Sequence, residues 1–156
     1  MTDQINIPDD YFTLLAKIES GNRLYIKAPT SSGSGLYQFI RATWEGEGGK
    51  WGPDMSKAFG GLFPSENEQT MRARTFTEKN AAYLQSHGVA INNASLYAAH
   101  FLGPQTAVKM ILADTKDHAD DVAGPLAAKA NPSILKGKTV AQFYTWLHGL
   151  TGVWVR

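Results

Sequence analysis

Apolar residues recur along the chain at intervals of three and four, the spacing that places them on one face of a helix. The first such stripe is formed by Tyr11, Leu14, Leu15 and Ile18. The second is formed by Leu36, Phe39, Ile40 and Trp44. We therefore expect a first helix that stops at Gly21, a polar loop over residues 22–34, and a second helix that opens around Gln38.

Helix-starting residues divide the rest of the chain. Ser65 and Glu68 form a capping pair, and the helix that follows is expected to stop at Gly88. Thr139 and Gln142 form a second such pair. Further helix boundaries are expected at Asn92–Asn93, Pro104, Gly124–Pro125 and Asn131–Pro132. Because no run of alternating residues indicates a substantial sheet, the pattern predicts a mostly α-helical fold of six to eight short helices.

Composition narrows the possible functions. The length of 156 residues suits one domain with its own core, over residues 1–156. The absence of cysteine excludes disulfides, a thiol nucleophile and a Cys-ligated metal site. A net charge of +1 with scattered Lys and Arg argues against a nucleic-acid partner. The four histidines lack metal-ligand spacing, and no stretch approaches the roughly 20 apolar residues of a membrane span. We therefore expect no metal, no cofactor and no membrane span.

Glu19 is the candidate acid. At about 100° per residue it falls about 40° from Leu15 on the helical wheel, at the edge of the first stripe. A carboxyl group partly buried against apolar groups can act as the general acid of glycosidic-bond cleavage. Gln38 offers a donor and an acceptor for sugar hydroxyl or N-acetyl groups. The alternative for Glu19 is a solvated residue near a helix end, which spacing by itself favours.

Several aromatic residues are candidates for sugar-binding ring faces, although at helical spacing they more often belong to a core. They are Tyr37, Phe39, Trp44, Tyr97 and Phe101. His100 is a candidate for a polar contact beside them. Glu45, Glu47 and Asp54 are candidates for a second carboxylate, and the alternative for each is a solvated, charged loop.

Two motifs resemble those of a lytic transglycosylase of the soluble (SLT) type, in the lysozyme-like superfamily. The first is Glu19-Ser20 at a helix end, and the second is Ala-Pro-Thr-Ser-Ser-Gly-Ser-Gly-Leu-Tyr-Gln-Phe at residues 28–39. Residues 99–104, Ala-His-Phe-Leu-Gly-Pro, match a third family motif loosely. The resemblance extends from residue 10 to residue 112. It implies a mostly α, goose-type lysozyme-like single domain whose helices surround a substrate cleft.

The resemblance also implies the chemistry. One Glu acts first as acid and then as base on the β-1,4 bond between MurNAc and GlcNAc of peptidoglycan, and the product is a 1,6-anhydro sugar. By this resemblance Glu19 is the catalytic acid/base. The predicted substrate-binding residues are Ser20, Ser31, Ser32, Tyr37, Gln38, Phe39, Tyr97 and His100. The alternative for Ser20, which follows the acid, is to support the loop that begins there. Ala28 stands where the family has Ser, so Ser31 or Ser32 is expected to supply that hydroxyl.

The resulting prediction is a peptidoglycan lytic transglycosylase, a lyase that acts as a bacteriophage endolysin or as a virion-associated wall-degrading enzyme. Because the N-terminus lacks the features of a secretory signal, we expect synthesis in the host cytoplasm and action on the periplasmic cell wall after release or within a virion. The expected partner is the glycan strand, and the expected state is a monomer. Two alternatives stay open: a hydrolytic muramidase that uses Glu19, and a non-catalytic wall-binding or structural component of a virion or secretion apparatus.

Overall fold

A computed structural model describes residues 5–156 of the chain. These residues form nine α-helices and pair as strands only at isolated bridges, which confirms the mostly α-helical class, with more helices than the six to eight expected. The helices are α1 (Tyr11–Ser20), α2 (Arg41–Gly46), α3 (Glu66–Ser86), α4 (Asn93–Leu102), α5 (Pro104–Leu112), α6 (Ala119–Ala123), α7 (Pro125–Ala130), α8 (Pro132–Leu135) and α9 (Val140–Thr151). A short 3₁₀ helix lies at Ala58–Gly61. In residues 5–156, no helix combines the length and the apolar composition that crossing a membrane requires.

The chain divides into two compact units. The first, which we call the N-terminal unit, is Asp9–Phe76. The second, which we call the C-terminal unit, contains Thr77–Arg156 and the described residues that precede Asp9. The boundary falls inside α3. The lysozyme-like identity of the fold and the single catalytic domain over residues 1–156 stay predictions.

The helix boundaries that rest on local chemistry are confirmed. Gly21 ends α1 with a φ of 60°. The hydroxyl of Ser65 accepts the backbone N–H of Glu68 at 3.0 Å at the start of α3. Thr139 and Gln142 exchange side-chain and backbone hydrogen bonds in both directions at the start of α9. These caps satisfy N–H groups that a helix cannot satisfy within itself.

The predicted start of the second helix is wrong. Gln38 has a φ of 54°, a left-handed conformation that cannot open a right-handed helix, and α2 begins only at Arg41. The preceding residues form a tight turn, in which the N–H of Ser34 donates to the carbonyl of Phe39 at 3.0 Å. The hydroxyl of Ser32 then accepts the N–H of Arg41 at 3.0 Å. Leu36 and Phe39 are buried because this turn directs their side chains inward. Their spacing of three residues therefore does not reflect a helix.

Aromatic rings form the core of the N-terminal unit. Trp44 is 1% exposed and Phe59 is fully buried, with ring centroids 4.9 Å apart. Phe39 contacts Trp44 on one side and the ring of Phe76 on another, at 5.9 and 5.4 Å. Burying each such side chain stabilises the fold by about 1.5–3 kcal/mol. The loop over residues 22–40 is thereby anchored to α2 and α3.

The C-terminal unit is built around α4, which packs against α5 and α9. Tyr97 and Phe101 of α4 lie against Trp146 of α9, with ring centroids 6.2 and 5.2 Å away. The hydroxyl of Tyr144 donates to carbonyl oxygens at the end of α5, and the guanidinium of Arg156 binds carbonyls of the same segment. These bonds satisfy carbonyl groups that have no partner within α5.

Candidate functional site

Glu19 is the penultimate residue of α1 and is half-buried. Tyr11 lies on the same helix and is 1% exposed. Burial raises the pKa of the Tyr11 phenol, and the negative charge of Glu19 raises it further. The carboxylate of Glu19 therefore lies within electrostatic reach of a buried phenol. This placement agrees with the position of Glu19 at the edge of the apolar stripe on the helical wheel.

Ser20 holds the chain that follows Glu19. Its hydroxyl donates to the carbonyl of Ala16 at 3.0 Å and accepts the N–H of Arg23 at 3.2 Å. The side chain of Arg23 binds the carbonyl of Ser20 in return, at 2.6 Å. Ser20 is 2% exposed, so its hydroxyl faces the protein. The structure gives this predicted substrate contact a supporting role at the end of α1.

The Ser- and Gly-rich segment is bound to itself. The N–H of Ala28 donates to the carbonyl of Gly33 at 2.8 Å, and the ammonium of Lys27 bridges the carbonyls of Ala28 and Ser31 at 3.0 Å each. The hydroxyl of Ser31 accepts the N–H of Gly33 at 3.1 Å. Ser31 is exposed and Ser32 is half-buried. The hydroxyl of Ser31 accepts from Gly33 and that of Ser32 accepts from Arg41, so the O–H proton of each can still be donated to another acceptor.

Gln38 folds back over the same segment. Its side-chain NH₂ donates to the carbonyl of Gly35 at 3.0 Å and to that of Ile26 at 3.3 Å. Its carbonyl Oε1 packs over Gly33, where a Cβ would lie 3.1 Å from it. The donors of Gln38 are therefore used inside the protein, and Oε1 is the atom suited to accept a hydrogen bond from a sugar. A non-glycine residue in the left-handed region is strained, and such residues cluster at functional sites.

Gln69, which no motif in the sequence singles out, organises this segment from α3. Gln69 is 1% exposed. Its Oε1 accepts the N–H of Leu36 at 2.9 Å, and its NH₂ donates to the carbonyls of Leu24 and Pro64 at 3.0 and 3.1 Å. The signal in the sequence is small. Gln69 precedes the buried Ala73 by one helical turn, so it stands on the inward face of α3.

The aromatic candidates lie in the cores. Tyr37 and Phe39 are each 4% exposed, and the hydroxyl of Tyr37 hydrogen-bonds that of Thr70 at 2.9 Å. Tyr97 is also 4% exposed, and the ring of half-buried His100 stacks on it with centroids 6.3 Å apart. The buried rings of Tyr37, Phe39 and Tyr97 offer no open face for a sugar. The structure places seven of the predicted site residues in the N-terminal unit, and Tyr97 and His100 in the C-terminal unit.

Two candidate second carboxylates are engaged by their neighbours. Glu45 forms a 3.2 Å ion pair with Arg41 on the surface of α2. The side-chain and backbone hydrogen bonds from Ser56 to Asp54, and then the charge of Lys57, lower the pKa of Asp54, so Asp54 is ionised at neutral pH. Within the described residues, no three His, Asp or Glu side chains gather in a way that would hold a metal ion.

No protein-family model matches the chain. The resemblance therefore rests on Glu19-Ser20 and residues 28–39, which the structure places in the same unit.

Proposed function

We propose that this protein cleaves the glycan strands of peptidoglycan as a lytic transglycosylase, with Glu19 as the single acid and base. The observation that carries the proposal is the half-buried position of Glu19 at the end of α1, within electrostatic reach of the buried phenol of Tyr11. Partial burial of a carboxyl group favours the protonated form that a general acid of glycosidic-bond cleavage needs. The two motifs of the resemblance supply the substrate class.

The proposed reaction has two steps. The carboxyl of Glu19 gives its proton to the glycosidic oxygen as the bond from that oxygen to the anomeric carbon of MurNAc breaks. The N-acetyl oxygen of the same sugar stabilises the positive charge on that carbon. The Glu19 carboxylate then takes the proton from the C6 hydroxyl, whose oxygen closes the 1,6-anhydro ring. In this proposal Oε1 of Gln38 accepts a hydrogen bond from the sugar.

Hydrolysis by a muramidase is the competing outcome for the same Glu19. An inverting hydrolase needs a second carboxylate to activate water. Glu45 pairs with Arg41, and Asp54 accepts hydrogen bonds from Ser56, which supports the mechanism with one carboxylate. The two outcomes differ in their products, which a single measurement separates.

The first experiment compares Glu19→Gln with Glu78→Gln, a matched substitution at an exposed residue of α3. Clearing of permeabilised Gram-negative cells is followed by turbidity. Loss of a general acid lowers a rate by roughly 10²–10⁴-fold, so Glu19→Gln is expected to abolish clearing while Glu78→Gln clears normally. Circular dichroism checks that both variants fold. Clearing by Glu19→Gln at the normal rate would contradict the proposal.

The second experiment identifies the product by mass spectrometry of fragments released from purified peptidoglycan. Ends of 1,6-anhydro-N-acetylmuramic acid are expected. Reducing ends would show that the protein is a muramidase. Binding without any released product, by folded protein, would show a non-catalytic wall-binding component.

A further inference from the structure

Two aromatic rings of the N-terminal unit are exposed and held in place. Phe63 is 72% exposed and Tyr25 is 40% exposed. Their rings meet edge to face, with centroids 5.2 Å apart and planes at 83°. The hydroxyl of Tyr25 donates to the carbonyl of Pro64 at 3.0 Å, which fixes that ring. Exposed aromatic surface is costly in water, and a fixed pair provides a prepared contact surface.

The two rings line a cavity of about 250 Å³. Pockets for drug-sized ligands occupy roughly 300–1,000 Å³, so this cavity suits one sugar ring with a substituent. Ser56, Lys27 and Lys57 supply the polar part of its wall. Neither Glu19 nor Gln38 lines it.

The charged groups of the wall are predominantly positive. Lys27 is anchored by the carbonyls of Ala28 and Ser31. The side chain of Lys57 is 64% exposed and lies 3.9 Å from a carboxylate oxygen of Asp54. An exposed ion pair of this length contributes little to stability. The ammonium of Lys57 can therefore leave Asp54 and bind an anionic ligand at little cost in free energy. The two charged side chains that line the cavity are both lysines, and the carboxylate of Asp54, which does not line it, offsets part of the charge of Lys57.

We propose that this cavity binds a sugar unit that carries a carboxylate, with the sugar ring on Phe63 and the carboxylate on Lys57. The C–H groups on the face of a sugar ring pack against the electron-rich face of an aromatic ring. A carboxylate substituent on the sugar would accept charge-assisted hydrogen bonds from the lysine ammonium groups. That the natural ligand is a muramic acid unit of peptidoglycan rests on the proposed function.

The test is an NMR titration of the Glu19→Gln protein, which avoids turnover, with N-acetylmuramic acid and with N-acetylglucosamine. The two sugars differ by the carboxylate-bearing lactyl group. We expect N-acetylmuramic acid to shift the amide signals of Tyr25, Lys57 and Phe63 and to bind the more tightly of the two. Truncating an aromatic side chain at the centre of a binding site lowers affinity about tenfold. Adding Phe63→Ala should therefore weaken the binding of both sugars. Adding Lys57→Gln should remove most of the difference between them.

Matched controls lie in the C-terminal unit. Leu126→Ala truncates an apolar side chain that is 85% exposed, and Lys116→Gln neutralises an exposed lysine. Neither should change the titration. Unchanged binding after Phe63→Ala, or equal affinity for the two sugars, would overturn the proposal. Shifts of the same size with an acetylated glutamate dipeptide would indicate an acidic peptide as the ligand instead.

The outcome is separable from that of the proposed function. Clearing that depends on Glu19, with no shift at Tyr25, Lys57 or Phe63, would leave the enzyme assignment standing and remove this binding site. Shifts at these residues without any clearing would leave the binding site standing and remove the enzyme assignment.

Discussion

The side chain of Gln69 and the backbone of Leu36 are joined by a 2.9 Å hydrogen bond across 33 residues of sequence. The same amide also holds the carbonyls of Leu24 and Pro64. One buried side chain therefore fixes three backbone segments around the Ser- and Gly-rich loop. Its three hydrogen bonds satisfy backbone groups that would otherwise be buried without a partner, which is destabilising.

Replacing Gln69 by Leu should destabilise the protein strongly. Leu is similar in size but can neither donate nor accept a hydrogen bond, so the partners of the amide are left unsatisfied. The expected loss in unfolding free energy is about 3 kcal/mol, measured by urea denaturation. The matched control is Gln85→Leu in the same helix, where Gln85 is half-buried, with an expected change within about 0.5 kcal/mol. Equal effects of the two substitutions would contradict the role assigned to Gln69.

Tyr11→Phe should stabilise the protein. In the described part of the chain the buried hydroxyl of Tyr11 has no hydrogen-bond partner, so removing it should raise the unfolding free energy by about 1 kcal/mol at neutral pH.

The same substitution should change the dependence of stability on alkaline pH. The pKa of Tyr11 in the folded protein lies above its ordinary value of 10.0 because of burial. Below pH 10 both states keep the proton; above it the unfolded state releases the proton first, so the unfolding free energy falls as pH rises. Tyr11→Phe should flatten this fall in urea denaturation between neutral pH and pH 11, and Tyr83→Phe serves as the control. Identical slopes in Tyr11→Phe and the unsubstituted protein would refute the prediction.

Gly60 should tolerate no side chain. Its φ is 65°, and a Cβ would lie 2.1 Å from the carbonyl oxygen of Gly52. Gly88 has a similar φ of 77° with no atom within 4 Å of its Cβ position. Gly88→Ala should therefore cost about 1–2 kcal/mol for backbone strain only, whereas Gly60→Ala should cost about 3 kcal/mol or more, since backbone must move. Comparable denaturation midpoints would show that the close approach of Gly52 and Gly60 does not matter.

Ser20→Ala tests whether Ser20 supports the chain or contacts substrate. Because its hydroxyl bonds Ala16 and Arg23 in a buried position, its loss should lower the unfolding free energy by about 1–2 kcal/mol. The clearing activity that the proposed function predicts, measured well below the unfolding temperature, should depend on substrate concentration as in the unsubstituted protein. A raised KM without lost stability would instead return Ser20 to the substrate-contact role.

Helix boundaries were predictable where a few neighbouring residues decide them. The Thr139 and Gln142 cap, the stop at Gly21 and the position of Glu19 at the edge of a stripe each depend on residues less than two helical turns away. The start of α2 was not predictable in this way. The apolar spacing of Leu36 and Phe39 matches a helix, while the left-handed Gln38 and the bonds from Ser34 and Gln69 make it a turn.

The sequence by itself determined a mostly α-helical chain and its caps, because helix periodicity and capping act over a few residues. Glu19 as the catalytic acid stays a prediction. Only the tertiary structure decided that Tyr37 is a core residue, that the hydroxyl of Ser20 is buried against the end of α1, and that the rings of Tyr25 and Phe63 are exposed. It also decided the role of Gln69, which binds residues 5, 33 and 45 positions away in sequence. Burial and long-range hydrogen bonding depend on which distant segments pack against each other. Local residue spacing and overall composition do not specify that packing.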